Sequence, residues 1–234
     1  MSAAEPLARI ESRPSVSKAE EGASAATLPW WGLPSALLVA AVVVAPYDVV
    51  LSNLLFKQEA AHIGLLRTIL NNIEPFGHGV GVVAIALVVF ALEALPTKQR
   101  LFKAWAVLST AAGAGISADI LKLFVGRIRP RNYDFANLST SSTFVDWLPG
   151  IASGGAPHSF PSAHSATAAG LAVILTYYYP KGRGLFALFT VLVVGHRINS
   201  GAHFPSDVLV GLSVGLLFGT LCTKILIPRF EPKS

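Results

Sequence analysis

Three short polar segments interrupt an otherwise apolar chain, and their side chains are of the types that bind anions and move protons. The segments read KLFVGRIRP, FPSAH and GHRINSGAHFPSD. Lysine and arginine supply fixed positive charge, and histidine can give or take a proton near neutral pH because its unperturbed pKa is about 6.5. An aspartate close to a histidine can orient the ring. The candidate residues are Lys122, Arg129, Ser162, His164, Arg197, His203 and Asp207.

The composition indicates that these residues belong to a membrane protein. Of the 234 residues, 53% are hydrophobic and 13% are charged, which is far more apolar than a soluble domain of this length. The net charge of +5 does not indicate a nucleic-acid-binding protein, because the basic residues are scattered between apolar runs. Cys222 is the one cysteine of the sequence, so an internal disulfide is excluded, and we interpret it as a small hydrophobic residue.

The apolar runs are long enough to form six membrane-spanning helices. A spanning helix needs about 20 mostly apolar residues. We therefore predict an all-α polytopic membrane protein, with residues 1–28 as a disordered cytoplasmic tail and residues 29–230 as one six-span domain. The predicted spans lie near residues 31–55, 77–95, 101–124, 161–179, 184–200 and 206–228.

The first predicted span is the weakest, because Pro46 and Asp48 interrupt it. Its apolar stretch is also compatible with the core of a signal peptide. We favour a retained helix, because Pro46 would directly follow the cleavage site and the preceding segment has no net positive charge.

Lysine and arginine in the short loops predict the orientation in the membrane. They lie between the second and third spans, between the fourth and fifth, and after the sixth, so these loops and both termini should be cytoplasmic. The opposite face then carries all three polar segments, and we expect it to face the periplasm or exterior of a bacterial plasma membrane. On that face, apolar side chains at helical spacing predict a short interfacial helix with Ile63, Leu66, Ile69, Leu70 and Ile73.

Each polar segment taken alone also has a plain structural explanation. Lysine and arginine at helix ends often reach toward the membrane surface, and Asp207 follows Pro205 at a position that suits a helix start. Ionisable residues are costly in a membrane, however, so the convergence of several on one face favours a functional site. If KLFVGRIRP is helical, Lys122 and Arg129 share a helix face about 10 Å apart, with Asp119 on the same face as Lys122.

Together the three segments resemble the signature of the type 2 phosphatidic acid phosphatase superfamily, which also includes the vanadium haloperoxidases. Ala163 stands where the commonest form of the signature has glycine. His196 stands where a serine usually precedes the arginine, which removes a hydroxyl that usually contacts phosphate. The matching patterns are K-x6-R-P from Lys122 to Pro130, P-S-x-H from Pro161 to His164 and R-x5-H-x3-D from Arg197 to Asp207.

The resemblance implies a membrane enzyme with the helical core of that family and a phosphohistidine intermediate. It implies that His203 attacks phosphorus, while Asp207 accepts a hydrogen bond from its other ring nitrogen. His164 would protonate the leaving oxygen and then activate water. The cations, the start of the fourth span and a serine hydroxyl suit a phosphate. The expected phosphate-binding residues are Lys122, Arg129, Ser162, Ala163 and Arg197.

We therefore predict a metal-independent phosphatase that hydrolyses a lipid phosphate or lipid diphosphate at the extracytoplasmic face. No metal or other cofactor is expected, because three cations beside the histidines would repel a divalent ion. The expected partners are a lipid phosphate and the bilayer, with no nucleic acid. The alternatives are a lipid phosphotransferase that uses the same site and a non-catalytic lipid-binding membrane protein. Haloperoxidation is disfavoured, because that branch of the family is soluble. Phosphatidate, phosphatidylglycerophosphate, polyprenyl diphosphate and lipid A phosphates all remain open as substrates.

Overall fold

The computed structural model describes residues 29–58, 64–136, 139–148 and 158–232, and these residues are mostly helical. The predicted tail, residues 1–28, lies outside the described residues. The elements are α1 Gly32–Val44, α2 Asp48–Gln58, α3 Gly64–Ile73, α4 Gly79–Leu92, α5 Thr97–Lys122, β1 Val125–Arg127, β2 Phe144–Trp147, α6 Ala163–Tyr178, α7 Arg183–Asn199, α8 Pro205–Leu221 and α9 Ile227–Phe230.

Several helices have the length and composition of membrane spans. Within the described ranges, three helical segments qualify singly: Gly32–Leu55, Thr97–Lys122 and Pro205–Phe230. A fourth would be the pair Thr68–Gly77 and Gly79–Leu92, whose axes meet at 71°. Helices α6 and α7 have 16 and 17 residues. Both are shorter than a typical membrane-spanning helix, which needs about 20 residues. The chain is thus an integral membrane protein with several candidate spans, and the count of six stays a prediction.

The first predicted span contains a local break that accommodates its proline. A 3-10 turn, Ala45–Tyr47, joins α1 to α2 and holds Pro46 near its start, where a missing N–H costs little. The helical path then continues far enough for Gly32–Leu55 to count as one candidate span. Asp48 begins α2 and is completely buried.

Helix α6 is the central element and packs against α5, α7 and α8. Glycines on α8 allow the two backbones to approach closely. A Cβ atom on Gly211 would lie 2.3 Å from the carbonyl oxygen of Ser162, and one on Gly215 would lie 2.2 Å from that of Ala166. This close packing brings the start of α8 beside the start of α6, where two of the polar segments lie.

A two-stranded antiparallel ribbon between α5 and α6 corrects the all-α prediction. Helix α5 ends at Lys122, and β1 pairs Val125 with Trp147 and Arg127 with Phe144 on β2. Lys122 and Arg129 therefore do not share a helix face. The reason is local, because Gly126 weakens a helix at this point and Pro130 holds the preceding residue in extended backbone.

The predicted interfacial helix is present as α3. Leu70 on this helix is buried while Ile69 is exposed, which fits an amphipathic segment that packs on one side. Ile63 lies outside the described residues. The placement of α3 at the membrane surface stays a prediction.

Candidate active site

Backbone hydrogen bonds tie the three polar segments together at one end of the helical bundle. The N–H of Ser162 donates to the carbonyl of Asp207 at 3.0 Å, which joins the second segment to the third. The N–H of Arg131 donates to the carbonyl of Gly201 at 2.9 Å, which joins the first to the third. The predicted site residues are therefore brought to one place by the fold.

The fold leaves His203 buried with a defined tautomer. Its side chain is 2% exposed, and its Nδ1 lies 2.6 Å from the carbonyl oxygen of Ser159. A carbonyl can only accept, so Nδ1 carries the proton and Nε2 keeps its lone pair. Burial, followed by the positive charges of Arg197, Lys122 and Arg129, lowers the pKa of His203 well below its usual value. The resting imidazole is therefore neutral.

The hydrogen bond expected between Asp207 and His203 is replaced by other contacts. The nearest approach, from Asp207 Oδ2 to His203 Nδ1, is 3.9 Å. Asp207 instead accepts from the N–H of Phe204 at 2.8 Å and from Arg127 Nη1 at 2.5 Å. The role of orienting the ring thus falls to the carbonyl of Ser159, while the carboxylate of Asp207 lies beside the ring without a hydrogen bond to it.

The three predicted cations all lie close enough for their charges to act on His203. Lys122 Nζ contacts Asp119 Oδ1 at 2.7 Å, so the two residues predicted to share a helix face form an ion pair. Burial and then the neighbouring Arg131 lower the pKa of Arg129, and Asp207 opposes this shift. A guanidinium nevertheless remains protonated in a protein.

Several buried nitrogens at this end of the bundle have no hydrogen-bond partner among the described residues. They are Nε of Arg129, Nε of Arg197, Nε2 of His164 and Nδ1 of His196. Buried polar groups without a hydrogen-bond partner are rare in folded proteins, and a cluster of them that includes two arginine donors suits an anion site.

Ser162 and Ala163 lie where helix α6 begins. Ser162 is the N-cap residue, and its Oγ accepts hydrogen bonds from the N–H of Ser165 at 3.3 Å and from the Ser165 hydroxyl at 2.9 Å. Its own N–H already donates to Asp207, so the donors left for an anion are its hydroxyl and the next N–H groups of the first turn, which begins at Ala163.

Glu74 is a site residue that the sequence analysis missed. It lies in the 3-10 turn Glu74–Gly77 between α3 and α4, and its Oε1 accepts from Arg197 Nη1 at 2.9 Å. The same oxygen is 3.6 Å from His164 Nε2. The ring of His78 lies 5.6 Å from that of His164. A carboxylate thus lies against both Arg197, which is predicted to bind phosphate, and His164.

Arg127 and Asp48 were also missed, although Arg127 stands inside the first polar segment. Both side chains are fully buried and form an ion pair at 2.8 Å. The signal that could have found Arg127 is its position two residues before Arg129 in a segment already selected for its charges.

A cavity of ≈ 450 Å³ opens beside His164, between α4, α5 and α6. Its volume falls in the range of about 300–1,000 Å³ that is typical of ligand pockets. The walls combine apolar side chains with polar ones, among them His164. The lining includes Val82, Val83, Leu108, Ala112, Ile116, His78, Asp119, His164 and Thr167.

The sequence model of the PAP2 superfamily matches residues 103–231, which is more than half of the chain. This chain belongs to the PAP2 superfamily. The match covers all three polar segments, so the family resemblance predicted from them is confirmed. Among the described residues, no group of three or more His, Cys, Asp or Glu side chains is placed to hold a metal ion.

Curated relatives of this PAP2 chain include the lipid A 1-phosphatase of Rhizobium johnstonii, which is 31% identical over 56% of this chain and 52% of the relative. The chain thus spans about half the length of that relative. The decaprenylphosphoryl-5-phosphoribose phosphatase of Mycobacterium tuberculosis is 30% identical over 69% of this chain and 81% of the relative. Among solved structures, the fold is similar to a transmembrane PAP2 type phosphatidylglycerolphosphate phosphatase from Bacillus subtilis. That similarity has a TM-score of 0.55 and 19% identity, over 86% of this chain and 98% of the other.

Proposed function

We propose that this PAP2 chain is a metal-independent phosphatase that hydrolyses a lipid phosphate or lipid diphosphate at the extracytoplasmic face of the membrane. The observation that carries the proposal is the state of His203. It is buried and neutral, its Nδ1 proton is held by Ser159, and Lys122, Arg129 and Arg197 act on it with positive charge. A neutral imidazole with a free Nε2 lone pair is a nucleophile, and the three cations attract a phosphate to it.

In the first step, His203 Nε2 attacks phosphorus and the bond from phosphorus to the lipid oxygen breaks. The lone pair of Nε2 forms the new bond, and the leaving oxygen takes a proton from His164. The bound phosphate brings negative charge against His164 and so favours its protonated form. The imidazolium that forms at His203 gains stability from the carboxylate of Asp207, 3.9 Å from Nδ1.

In the second step, water attacks the phosphohistidine while His164 accepts a proton from it. The bond between phosphorus and Nε2 breaks, its electron pair returns to His203, and phosphate leaves. Lys122, Arg129 and Arg197 offset the charge on the phosphoryl oxygens through both steps. All proton transfers are thus assigned to His164, which is the only histidine required to change its protonation state twice.

The lipid nature of the substrate is supported by the surroundings of the site. The chain is an integral membrane protein, and the cavity beside His164 joins an apolar wall to the proposed proton donor. An apolar leaving group in this cavity would lie next to the residue that we propose protonates it. The similar proteins of Rhizobium johnstonii and Mycobacterium tuberculosis are named as phosphatases of lipid A and of a decaprenylphosphoryl sugar phosphate.

The proposed arrangement in the membrane retains six spans within residues 29–230, with residues 1–28 as a cytoplasmic tail. The positive charges of the short loops support this orientation, because such loops stay on the cytoplasmic side. The site would then face the periplasm or exterior of a bacterial plasma membrane.

The proposed function can be tested with the full purified chain in detergent or in vesicles. Release of inorganic phosphate is measured with phosphatidate, phosphatidylglycerophosphate, a polyprenyl diphosphate and lipid A, each with and without excess EDTA. His203→Ala is the control for contaminating phosphatases. We expect release from at least one lipid, unaffected by EDTA and inhibited by orthovanadate, which imitates the geometry of phosphoryl transfer.

Other results would contradict the proposal in distinct ways. Loss of activity in EDTA that a divalent ion restores would overturn the metal-independent mechanism. Transfer of labelled phosphate to an acceptor lipid without release would identify a phosphotransferase. Saturable binding of these lipids without either reaction would identify a lipid-binding protein.

A further inference from the structure

Arg127 is a completely buried cation that links the candidate nucleophile's surroundings to the first helical segment. Its Nη2 contacts Asp48 Oδ2 at 2.8 Å, and its Nη1 contacts Asp207 Oδ1 at 2.5 Å. Its Nε donates to Thr143 Oγ1 at 3.0 Å. The guanidinium also lies 4.2 Å from the centre of the Phe204 ring. These contacts leave the side chain a single orientation.

Asp48 completes this cluster from a part of the chain far from the three polar segments. Its Oδ1 accepts from the N–H of Ser206 at 2.9 Å, and its Oδ2 accepts from the hydroxyl of Ser206 as well as from Arg127. Both Asp48 and Asp207 are 0% exposed. Burying two carboxylates and one guanidinium is costly, and replacement by apolar residues would often give equal or greater stability. Stability alone is therefore a weak reason for this cluster.

The charges of the cluster suggest what it does for His203. One arginine shared by two carboxylates leaves a net negative charge, and Asp207 Oδ2 lies 3.9 Å from His203 Nδ1. Without the charge of Asp48, Arg127 would pair with Asp207 alone and would neutralise its carboxylate. With Asp48, the carboxylate of Asp207 keeps negative charge to stabilise the imidazolium that forms when His203 takes a phosphoryl group.

Arg127 also acts on Nδ1 of His203 through its own backbone carbonyl. Its carbonyl accepts from the N–H of Ser159 at 2.9 Å, and the carbonyl of Ile128 accepts from the Ser159 hydroxyl at 3.1 Å. Ser159 in turn holds Nδ1 of His203. The strand that carries Arg127 thus fixes both the carbonyl and the carboxylate that face His203.

We propose that Asp48 and Arg127 are positioning residues for the phosphoryl-transfer step, and that Asp48 preserves the negative charge which Asp207 presents to His203. This inference rests on the proposed function. It assigns a role in the reaction to the first helical segment, which lies outside residues 103–231. It also explains why an aspartate interrupts an otherwise apolar run.

The test compares wild type with Asp48→Asn, which keeps the size of the side chain and an oxygen for Ser206 but removes its charge. We expect kcat to fall about 10- to 100-fold, which is the usual loss when a residue that supports a functional side chain is replaced. KM and inhibition by inorganic phosphate should stay unchanged, because Lys122, Arg129 and Arg197 are not altered. Inhibition by orthovanadate should weaken in parallel with kcat, because vanadate bonded to His203 imitates the transition state. A general structural loss would weaken both inhibitors.

Glu93→Gln is the matched control. Glu93 is also paired with a cation, Lys103 at 3.1 Å, but it stands at the far end of α4 from His78. This variant should leave kcat and both inhibition constants unchanged.

If Asp48→Asn does not fold, Thr143→Val is used in its place. Thr143→Val loses one Arg127 contact and keeps every charge. Thr143→Val should lower kcat several-fold at constant KM.

The outcomes separate the two proposals. A wild-type chain that releases no phosphate from any lipid overturns the proposed function and the role of Asp48 with it. An active wild type together with a folded Asp48→Asn protein of unchanged kcat and unchanged vanadate inhibition overturns the inference alone. An unchanged kcat in Thr143→Val, where that variant is needed, does the same. Equal weakening of phosphate and vanadate inhibition would show that Asp48 only maintains the fold.

Discussion

Replacing Glu74 by glutamine removes a negative charge from the candidate phosphate site and keeps the shape of the side chain. The carboxylate contacts Arg197 Nη1 at 2.9 Å and lies 3.6 Å from His164 Nε2. The glutamine oxygen can still accept from Arg197, so the arginine should keep its position. A phosphate bound by Arg197 must lie close to Glu74, and the two anions repel. We therefore expect Glu74→Gln to bind inorganic phosphate more tightly than wild type.

The size of the effect follows from the distance and the exposure of Glu74. Two unit charges about 4 Å apart interact by about 4 kcal/mol at an effective dielectric constant of about 20. The side chain of Glu74 is 38% exposed, and solvent screening reduces this interaction to roughly 1 kcal/mol. Since 1.4 kcal/mol corresponds to a tenfold change, phosphate should bind about fivefold more tightly.

The assay is competitive inhibition of lipid hydrolysis by inorganic phosphate, measured on wild type, Glu74→Gln and Glu93→Gln. Glu93 serves as the control because it lies at the opposite end of α4, about 20 Å away along 14 residues. Its replacement should leave the inhibition constant unchanged. Weaker inhibition in folded Glu74→Gln would refute the reasoning, since it would show that Glu74 mainly orders Arg197 for the phosphate.

Arg197→Lys should lower kcat/KM about 10- to 100-fold, because the charge remains but the forked contact is lost. His196→Ser should keep most activity, and an inactive folded protein would show that His196 takes part in the reaction. In a Cys222→Ala background, the single cysteines of Ser141→Cys and Thr97→Cys should differ in their chemical labelling in intact cells. An impermeant thiol reagent should label the first and spare the second, and the reverse pattern would overturn the orientation. Since burial and nearby cations place the pKa of His203 well below 6.5, kcat/KM per substrate dianion should not fall when the pH is lowered from 7.5 to 6. A loss with its midpoint near pH 6.5 would contradict a neutral resting His203.

The sequence was sufficient to find the residues whose spacing is fixed by short segments. His203 and Asp207 are four residues apart and Ser162 lies two before His164, so local geometry determines which side chains stay together. Apolar runs likewise predicted most helices, because the membrane requires about 20 such residues in a row. Convergence of the segments followed from topology, since loop charges placed them on one face.

The parts that could not be predicted depend on contacts across long sequence separations or on the backbone. The sequence does not show that Asp48 pairs with Arg127, which lies 79 residues away. The hydrogen-bond partner of His203 is a backbone carbonyl oxygen. Every residue has this group, so no residue type in the sequence indicates the contact. The third span was predicted to end near residue 124, close to the end of α5 at Lys122, but the segment after it was interpreted as a possible continuation of that helix. Pairing of β1 with β2 satisfies their backbone groups instead.

The central claim is that His203 carries the phosphoryl group, and a trapped intermediate tests it most directly. In His164→Ala, an activated aryl phosphate needs little proton donation to leave, whereas attack of water on the intermediate loses its base. The protein should therefore accumulate labelled phosphate that is acid-labile and base-stable, and peptide mapping should locate it on His203. His203→Ala should acquire no label. Label on His164 in His203→Ala would reverse the assignment of the two histidines, and full activity without label in either variant would show that water attacks phosphorus directly.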